Sequence, residues 1–293
     1  MVEYNQSMEE HMHSGHVGCP GCGATIAMKF ALSALGKQTV LVIPACCWAV
    51  IAGAHPQHAL NIPVLHTAFE TTGAASSGVR AALDMKGDEE TTVVAWAGDG
   101  GTFDIGFQAL SGAAERNENI IYVCYDNEAY MNTGVQRSSA TPLGSRTTTT
   151  PGLGWKKDRK KNIVEIMAAH RIPYAATANI AYPDDMIQKF TKAKAIKGMR
   201  FIHVFASCPT GWRIPSDQTI KVARLAVQTN IFPLYEVENG SQYTVSMKGT
   251  LPVKSYLSRQ GRFKHLTDQE ISSIQQMVDQ EWLLLLKKEQ LSN

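Results

Sequence analysis

Apolar, β-branched runs recur along the middle of this chain, and segments of helical pattern separate them; this alternation constrains the fold more than any other feature. The runs lie at 39–44 (TVLVIP), 91–97 (TTVVAWA), 119–125 (NIIYVCY), 174–180 and 200–207 (RFIHVFAS). Helical patterns fall at 67–86, 105–115, 163–170 and 183–196. A further one at 24–35 has Gly36 as its stop. Strands that are apolar throughout, rather than at every second residue, must be covered on both sides. The pattern therefore predicts an α/β fold whose mostly parallel sheet carries helices on both faces.

In such a sheet the carboxyl ends of the parallel strands share one edge, and ligands bind there. The unusual residues of this chain fall at those ends. Cys46 and Cys47 follow the first run, Gly98-Asp99-Gly100 the second, Asp126-Asn127 the third and Cys208 the last.

The last sixty or so residues differ in pattern. Two short strand candidates, 234–238 and 242–247, flank Asn239-Gly240, a hairpin-type turn. Thr267 and Glu270 form a capping box ahead of Ile271, Ile274, Met277 and Val278. Residues 1–230 are thus expected to form the α/β domain. Residues 231–293 form a C-terminal extension that packs on the core or on a partner subunit. The polar stretch 137–162, with threonines at 147–150, is long for a connection and points to a functional or partner-contacting segment.

Composition excludes several classes. A net charge of +2, from 28 basic and 26 acidic side chains, is far from that of a nucleic-acid binder. No apolar run approaches the ~18 residues of a membrane span. The polar, His-rich stretch 1–16 has no apolar core of a signal peptide, which predicts a cytoplasmic protein. Six cysteines in so large a chain are then expected to be reduced.

Glycines at 98, 100 and 101 let backbone approach a phosphate, and a helix starting near residue 104 would add amide donors and a positive dipole end. Asp99 offers a hard carboxylate oxygen for Mg²⁺, Asn127 a second oxygen and the Ala129 carbonyl a third. Alone, G-D-G fits an ordinary strand-to-helix turn as well as a cofactor loop. Paired with Asn127 one strand–helix–strand step later, it resembles the thiamine-diphosphate motif.

Cys19-Pro-Gly-Cys22 places two thiolates in one turn, and Cys47 and Cys208 could complete a four-thiolate site. Chemistry alone leaves a 4Fe-4S cluster and a structural zinc equally open. Cys124, inside an apolar run, reads as an inert buried thiol, and Cys46 as the member of an adjacent pair that points away. Trp48 either shields such a site or is ordinary packing.

Three segments, H-V-G-C-P-G-C-G at 16–23, A-W-A-G-D-G-G-T-F-D-I-G at 95–106 and Y-D-N-E-A-Y-M-N-T-G-V-Q-R-S at 125–138, carry a family resemblance. They resemble the β subunit of 2-oxoacid:ferredoxin oxidoreductases, most of all that of pyruvate:ferredoxin oxidoreductase (pyruvate synthase). The likeness covers about 16 to 240. It implies the diphosphate-binding type of thiamine-diphosphate fold, with thiamine diphosphate, Mg²⁺ and one 4Fe-4S cluster on this subunit. Cys19, Cys22, Cys47 and Cys208 would hold the cluster, and Asp99, Asn127 and the Ala129 carbonyl would hold Mg²⁺. Gly98, Gly100 and Gly101 would line the diphosphate, and Asn132 would face substrate as a catalytic residue. Where many relatives carry Glu after the C-x-x-C this chain has Ala24, and where many have Gly before the third cysteine it has Cys46.

The implied reaction is oxidative decarboxylation of a 2-oxoacid, with electrons passing to ferredoxin; for pyruvate, coenzyme A takes the acyl group. The cofactor carries the chemistry and the protein orients it. An α subunit would have to supply the pyrimidine-binding domain and its activating Glu. Further γ and ferredoxin-like δ subunits or domains would complete the assembly, because this chain has no C-x-x-C-x-x-C run. Pyruvate is the expected substrate, with oxalate, 2-oxoglutarate and branched-chain 2-oxoacids as alternatives. A non-redox thiamine-diphosphate subunit with structural zinc and a non-enzymatic metal-binding scaffold are the competing classes.

Overall fold

The computed structural model describes residues 11–150 and 154–292; most of the polar stretch 1–16 and part of the 137–162 connection lie outside the described residues. In chain order the elements are α1 (Gly23–Leu35), β1 (Thr39–Pro44), α2 (Cys47–Ile51), β2 (Val64–Thr67), α3 (Thr72–Met85) and β3 (Thr92–Gly98). A π-helical turn (Gly101–Ile105) leads into α4 (Phe107–Glu115), then β4 (Ile121–Asp126), α5 (Ile163–Ala169), β5 (Tyr174–Asn179), α6 (Pro183–Ala195) and β6 (Arg200–Phe205). The chain closes with α7 (Pro209–Trp212), α8 (Thr219–Gln228), β7 (Leu234–Glu238), β8 (Gln242–Met247), α9 (Lys254–Leu257) and α10 (Asp268–Ser292).

Eight strands form one sheet in the order β2-β1-β3-β4-β6-β5-β7-β8. The first six in this order are parallel. The apolar runs form its middle, and β4 and β6 are buried along their whole length. Successive side chains serve opposite layers, as strand geometry requires. Val94 and Trp96 of β3 pack with α1, α6 and α8, while Val93, Ala95 and Ala97 pack with α4, α5 and α10.

The hairpin of β7 and β8 continues this sheet, because β7 pairs antiparallel with β5. The capping box forms: Glu270 N donates to Thr267 Oγ1 at 3.3 Å, and Thr267 N to Glu270 Oε2 at 2.7 Å. Helix α10 then lays Ile274, Val278, Trp282 and Leu285 against the core. Among the described residues no helix is long and apolar enough to cross a membrane.

Two elements depart from the pattern reading. Strand β2 has four partly exposed residues on the sheet edge, so it lacks the apolar run that marks the others. Helical geometry also begins at Asp99, directly after β3, rather than near residue 104. Glycines carry no periodic signal, so the sequence pattern cannot register this turn. Gly106 N donates to Gly101 O at 3.0 Å, the wide i→i+5 closure, and a Cβ on Gly106 would stand 2.3 Å from that oxygen. Such π-turns concentrate at functional sites.

The strand order also creates the site. From β1 the chain goes outward to β2, then returns to the other side of β1 as β3. Connections leaving β1 and β3 diverge, and a crevice opens between their carboxyl ends.

Candidate active site

A cavity of about 440 Å³ occupies that crevice. The turn Gly98–Gly101 after β3, Asn127, Ala129 and Asn132 after β4, and Cys47 after β1 all face it. A Cβ on Gly100 would lie 2.4 Å from the Tyr130 ring, so this helix start must stay bare for the β4 loop to pack over it.

Asp99 is buried, and Ser138 Oγ donates to its Oδ2. Burial first, and then the charge of Asp126, push its carboxyl well above the ordinary carboxylate range. Asp126 behaves oppositely. Burial alone would raise it, but the Lys160 ammonium and the His203 imidazole, whose Nε2 stands 2.7 Å from Oδ2, hold it down at about 2. Of two neighbouring buried carboxylates, one is neutralised within the chain and the other still calls for a cation or a proton.

The β4 loop brings two more oxygens to Asp99. Glu128 N donates to Asp126 Oδ1 at 2.8 Å, and Glu128 takes a left-handed backbone with φ 66°. Thr141 Oγ1 donates to the Glu128 carbonyl at 2.8 Å, and the Trp212 indole Nε1 donates to the Asn127 carbonyl at 2.8 Å. The reversal turns the Ala129 carbonyl back beside the Asn127 side chain. One end of the Asn127 amide stands 3.0 Å from both Ala129 O and Asp99 Oδ1. With its NH₂ at that end, the amide donates to both. With its oxygen there, the amide stands from each of the other two oxygens at about the edge length of an octahedron built on ~2.1 Å bonds, a spacing that suits Mg²⁺. Donor set, spacing and the surplus carboxylate charge fit a hard divalent cation.

Asn132 is exposed at the cavity mouth. The turn around it closes through Gly134 N to Met131 O at 3.1 Å and Gln136 Nε2 to Thr133 O at 2.8 Å. The Asn132 amide therefore faces the cavity without serving that turn.

Cys19, Cys22, Cys47 and Cys208 lie beside the cavity, Cys19 exposed and the other three partly buried. Cys22 N donates to Cys19 O at 3.0 Å, and Gly21 supplies the positive φ, 70°, that the turn requires. A Cβ on Gly21 would lie 2.2 Å from Ser216 O, so the turn is seated directly on the loop before α8. Gly23 N donates to Ser207 O at 3.0 Å, which ties Cys22 to the end of β6 and so to Cys208. Cys208 Sγ accepts from Gly211 N at 3.4 Å.

Burial and then the neighbouring thiols, Cys46, Cys208 and Cys22, push Cys47 up to about 12. Burial first, with Cys22 and Cys19 adding, pushes Cys208 up to about 11. Each is thus protonated near neutrality and must lose its proton to ligate metal. Among the described residues, no three His, Cys, Asp or Glu side chains converge closely enough for a single ion.

Cys46 also lines the cavity, and its thiol meets Tyr125, whose hydroxyl lies beneath Gly98. Cys124 is buried inside β4. Trp48 is fully buried, and its Nε1 donates to Ala24 O at 3.2 Å; this is packing that joins α2 to α1.

Sequence reasoning missed the residues behind the loop: Glu128, Ser138, Thr141, Lys160, His203 and Arg262. Lys160 lies within the polar stretch read as functional or partner-contacting, though not singled out there, and it pairs with both Asp126 and Glu128. Arg262 carried no signal at all.

Residues 45–204 match the family described as thiamine pyrophosphate enzyme, C-terminal TPP binding domain. The chain is 53% identical over 291 residues to ketoisovalerate oxidoreductase subunit VorB of Pyrococcus furiosus, covering 95% of this chain and 93% of that protein. It is 50% identical over 275 residues to pyruvate synthase subunit PorB of Methanothermobacter thermautotrophicus, covering 92% and 96%. The solved 2-oxoglutarate:ferredoxin oxidoreductase of Magnetococcus marinus, with 2-oxoglutarate, coenzyme A and succinyl-CoA bound, shares the fold. Its TM-score is 0.60 at 23% identity, over 75% of this chain and 81% of that one. Identity at this level, nearly end to end, shows that the chain belongs to the 2-oxoacid:ferredoxin oxidoreductases as a β-type subunit that carries their thiamine-pyrophosphate-binding domain.

Proposed function

We propose that this subunit, assembled with its partners, oxidatively decarboxylates pyruvate, passing electrons to ferredoxin and the acyl group to coenzyme A. One observation carries the reading. At the switch-point cavity the Asn127 amide stands 3.0 Å from both Asp99 Oδ1 and the Ala129 carbonyl, beside a buried carboxyl that burial and Asp126 push well above the ordinary range.

Asp99, Asn127 and the Ala129 carbonyl would hold Mg²⁺, and Gly98, Gly100 and Gly101 leave room for the diphosphate at the helix start. Thiamine diphosphate, when bound, supplies the nucleophilic carbon and the electron sink for decarboxylation. The Asn132 amide donates to a substrate oxygen where negative charge develops. Val50, Phe69 and Met131 form an apolar rim that keeps water from the reacting centre. Cys19, Cys22, Cys47 and Cys208 would hold a 4Fe-4S cluster, which accepts electrons singly. An α subunit bearing the pyrimidine-binding domain and an activating Glu closes the cavity, and γ and δ components carry electrons onward.

A branched-chain 2-oxoacid is the second reading, favoured by the 53% identity with a ketoisovalerate oxidoreductase subunit. Rates of ferredoxin reduction by the assembled complex with pyruvate, 2-oxoisovalerate, 2-oxoglutarate and oxalate separate the substrates. A pyruvate kcat/KM at least about tenfold above the others, a difference of ~1.4 kcal/mol in transition-state binding, is the expected result. A preference for 2-oxoisovalerate transfers the assignment to the second reading, and inactivity on all four overturns it.

The ligand set has its own test. Cys22→Ser should lose the iron, whereas Cys46→Ser and Cys124→Ser keep it, because a hydroxyl is a poor iron ligand and neither of the latter thiols belongs to the proposed set. Iron and acid-labile sulfide in anaerobically purified complexes measure this. Iron retained by Cys22→Ser, or lost from Cys124→Ser, rejects the ligand set.

A further inference from the structure

Arg262 belongs to the segment between α9 and α10, remote in sequence from every residue assigned above, yet it is buried against two parts of the site. Its Nη2 pairs with Glu128 Oε2 and donates to Tyr256 Oη at 3.1 Å, and its Nε donates to Gln260 Oε1 at 2.9 Å. The guanidinium lies 4.0 Å from the Trp212 ring centroid. Both Arg262 and Glu128 are almost wholly excluded from solvent, at 3% and 2% exposure.

Glu128 lies between Asn127 and Ala129 in a left-handed conformation that a side-chain-bearing residue holds only when its surroundings over-determine it. Its amide and carbonyl are engaged by Asp126 and Thr141. Its carboxylate is held by Lys160 at 2.9 Å and by Arg262, and Lys160 is shared with Asp126. Arg262 is therefore the cation this carboxylate does not share with Asp126. On its other side, Trp212 ends the turn begun by Cys208 and donates to the Asn127 carbonyl at 2.8 Å. Trp212 N also donates to the Cys208 carbonyl at 2.9 Å, so the ring under the guanidinium belongs to the turn that carries Cys208.

We propose that Arg262 is a positioning residue of this site. Through Glu128 it fixes the loop that presents Asn127 and the Ala129 carbonyl, and through Trp212 it places a permanent positive charge against the turn that begins at Cys208. The inference rests on the function proposed above and extends it. The segment after α9 completes the site, and one guanidinium serves both the diphosphate end and the electron-accepting end.

The test uses the assembled complex, stripped of thiamine diphosphate, with Mg²⁺–thiamine diphosphate affinity read by calorimetry and cluster potential by redox titration. Arg262→Met, which keeps an apolar stem over Trp212, should bind the cofactor about 10–100-fold more weakly, the usual loss when a supporting residue behind a metal ligand is removed. Iron content should stay full, and the cluster potential should move to more negative values, because a positive charge that favoured the added electron is gone. Arg262→Lys should keep a potential near that of the wild type while its affinity falls, since an ammonium lacks the planar fork and stacks poorly. Glu128→Gln should lose affinity without the shift to more negative potential. A purely structural role would not separate the two readouts in this way.

Wild-type affinity in an iron-replete Arg262→Met complex overturns the proposal, as does an unchanged potential. If Arg262→Met does not assemble, wild-type affinity in both Arg262→Lys and Glu128→Gln overturns it instead. A wild-type complex that fails to bind Mg²⁺–thiamine diphosphate overturns the proposed function itself, a different outcome.

Discussion

Asp99→Ala is expected to leave the assembled complex without bound thiamine diphosphate at Mg²⁺ concentrations that saturate the wild type. The carboxylate is buried beside Asp126, and Lys160 and His203 are committed to Asp126. Ser138 and the more distant Lys160 offset only part of the Asp99 charge, so an added cation or a proton must balance the rest, and Asp99 is the charged ligand lining the cavity among the described residues. The loss should exceed the ~10–100-fold typical of residues that only support a ligand. The same electrostatics predicts an opposite effect on stability. Folding raises the affinity of Asp99 for its proton, so near neutrality the ionised carboxylate works against the cofactor-free fold. Asp99→Asn should therefore raise the melting temperature of the cofactor-free complex while abolishing cofactor binding. Calorimetric titration and thermal melts read both effects. Unchanged Mg²⁺-dependent affinity in Asp99→Ala rejects the assignment.

Asn132→Ala is expected to behave differently, keeping cofactor and cluster while turnover falls by roughly 10²–10³, the scale for removing one preorganised donor. Asn132 lies on the loop that carries Asn127, but its amide is exposed at the cavity mouth and takes no part in closing the 131–134 turn. Its loss should therefore be felt where charge develops in the reaction rather than in the loop. The measurement is 2-oxoacid-dependent reduction of ferredoxin or methyl viologen, alongside iron and thiamine-diphosphate content. Near-normal turnover, or a defect traced to lost cofactor, returns Asn132 to a structural role.

The two substitutions draw on different kinds of information. Asp99, Asn127, Cys47 and Cys208 could be picked out because each stands at the end of a continuous apolar run, and chain connectivity alone sends those ends to one edge of a parallel sheet; Cys19 and Cys22 stood out as a C-x-x-C pair. The same logic made the sheet and most of its covering helices legible. It failed where no periodic signal exists: at β2, too short and too exposed, and at the glycine-rich helix start after β3. Nor could it separate Cys46 from Cys47. Adjacent residues at a strand end differ in their neighbours, and the packed structure puts the Cys46 thiol against Tyr125 and gives Cys47 the thiols of Cys46, Cys208 and Cys22 as neighbours.

The sequence by itself thus determined the layer architecture, the edge on which chemistry is gathered and the residue types offered there. These follow from local hydrophobic pattern and from the geometry of parallel strands, which hold whatever the rest of the chain does. Only the tertiary structure decided how the offered groups are held. The left-handed turn at Glu128, the sharing of Lys160 between two carboxylates and the arrival of Arg262 from the segment after α9 depend on side chains far apart in the chain. Their charges must find partners once water is excluded, a requirement that buried space imposes and that no run of neighbouring residues records.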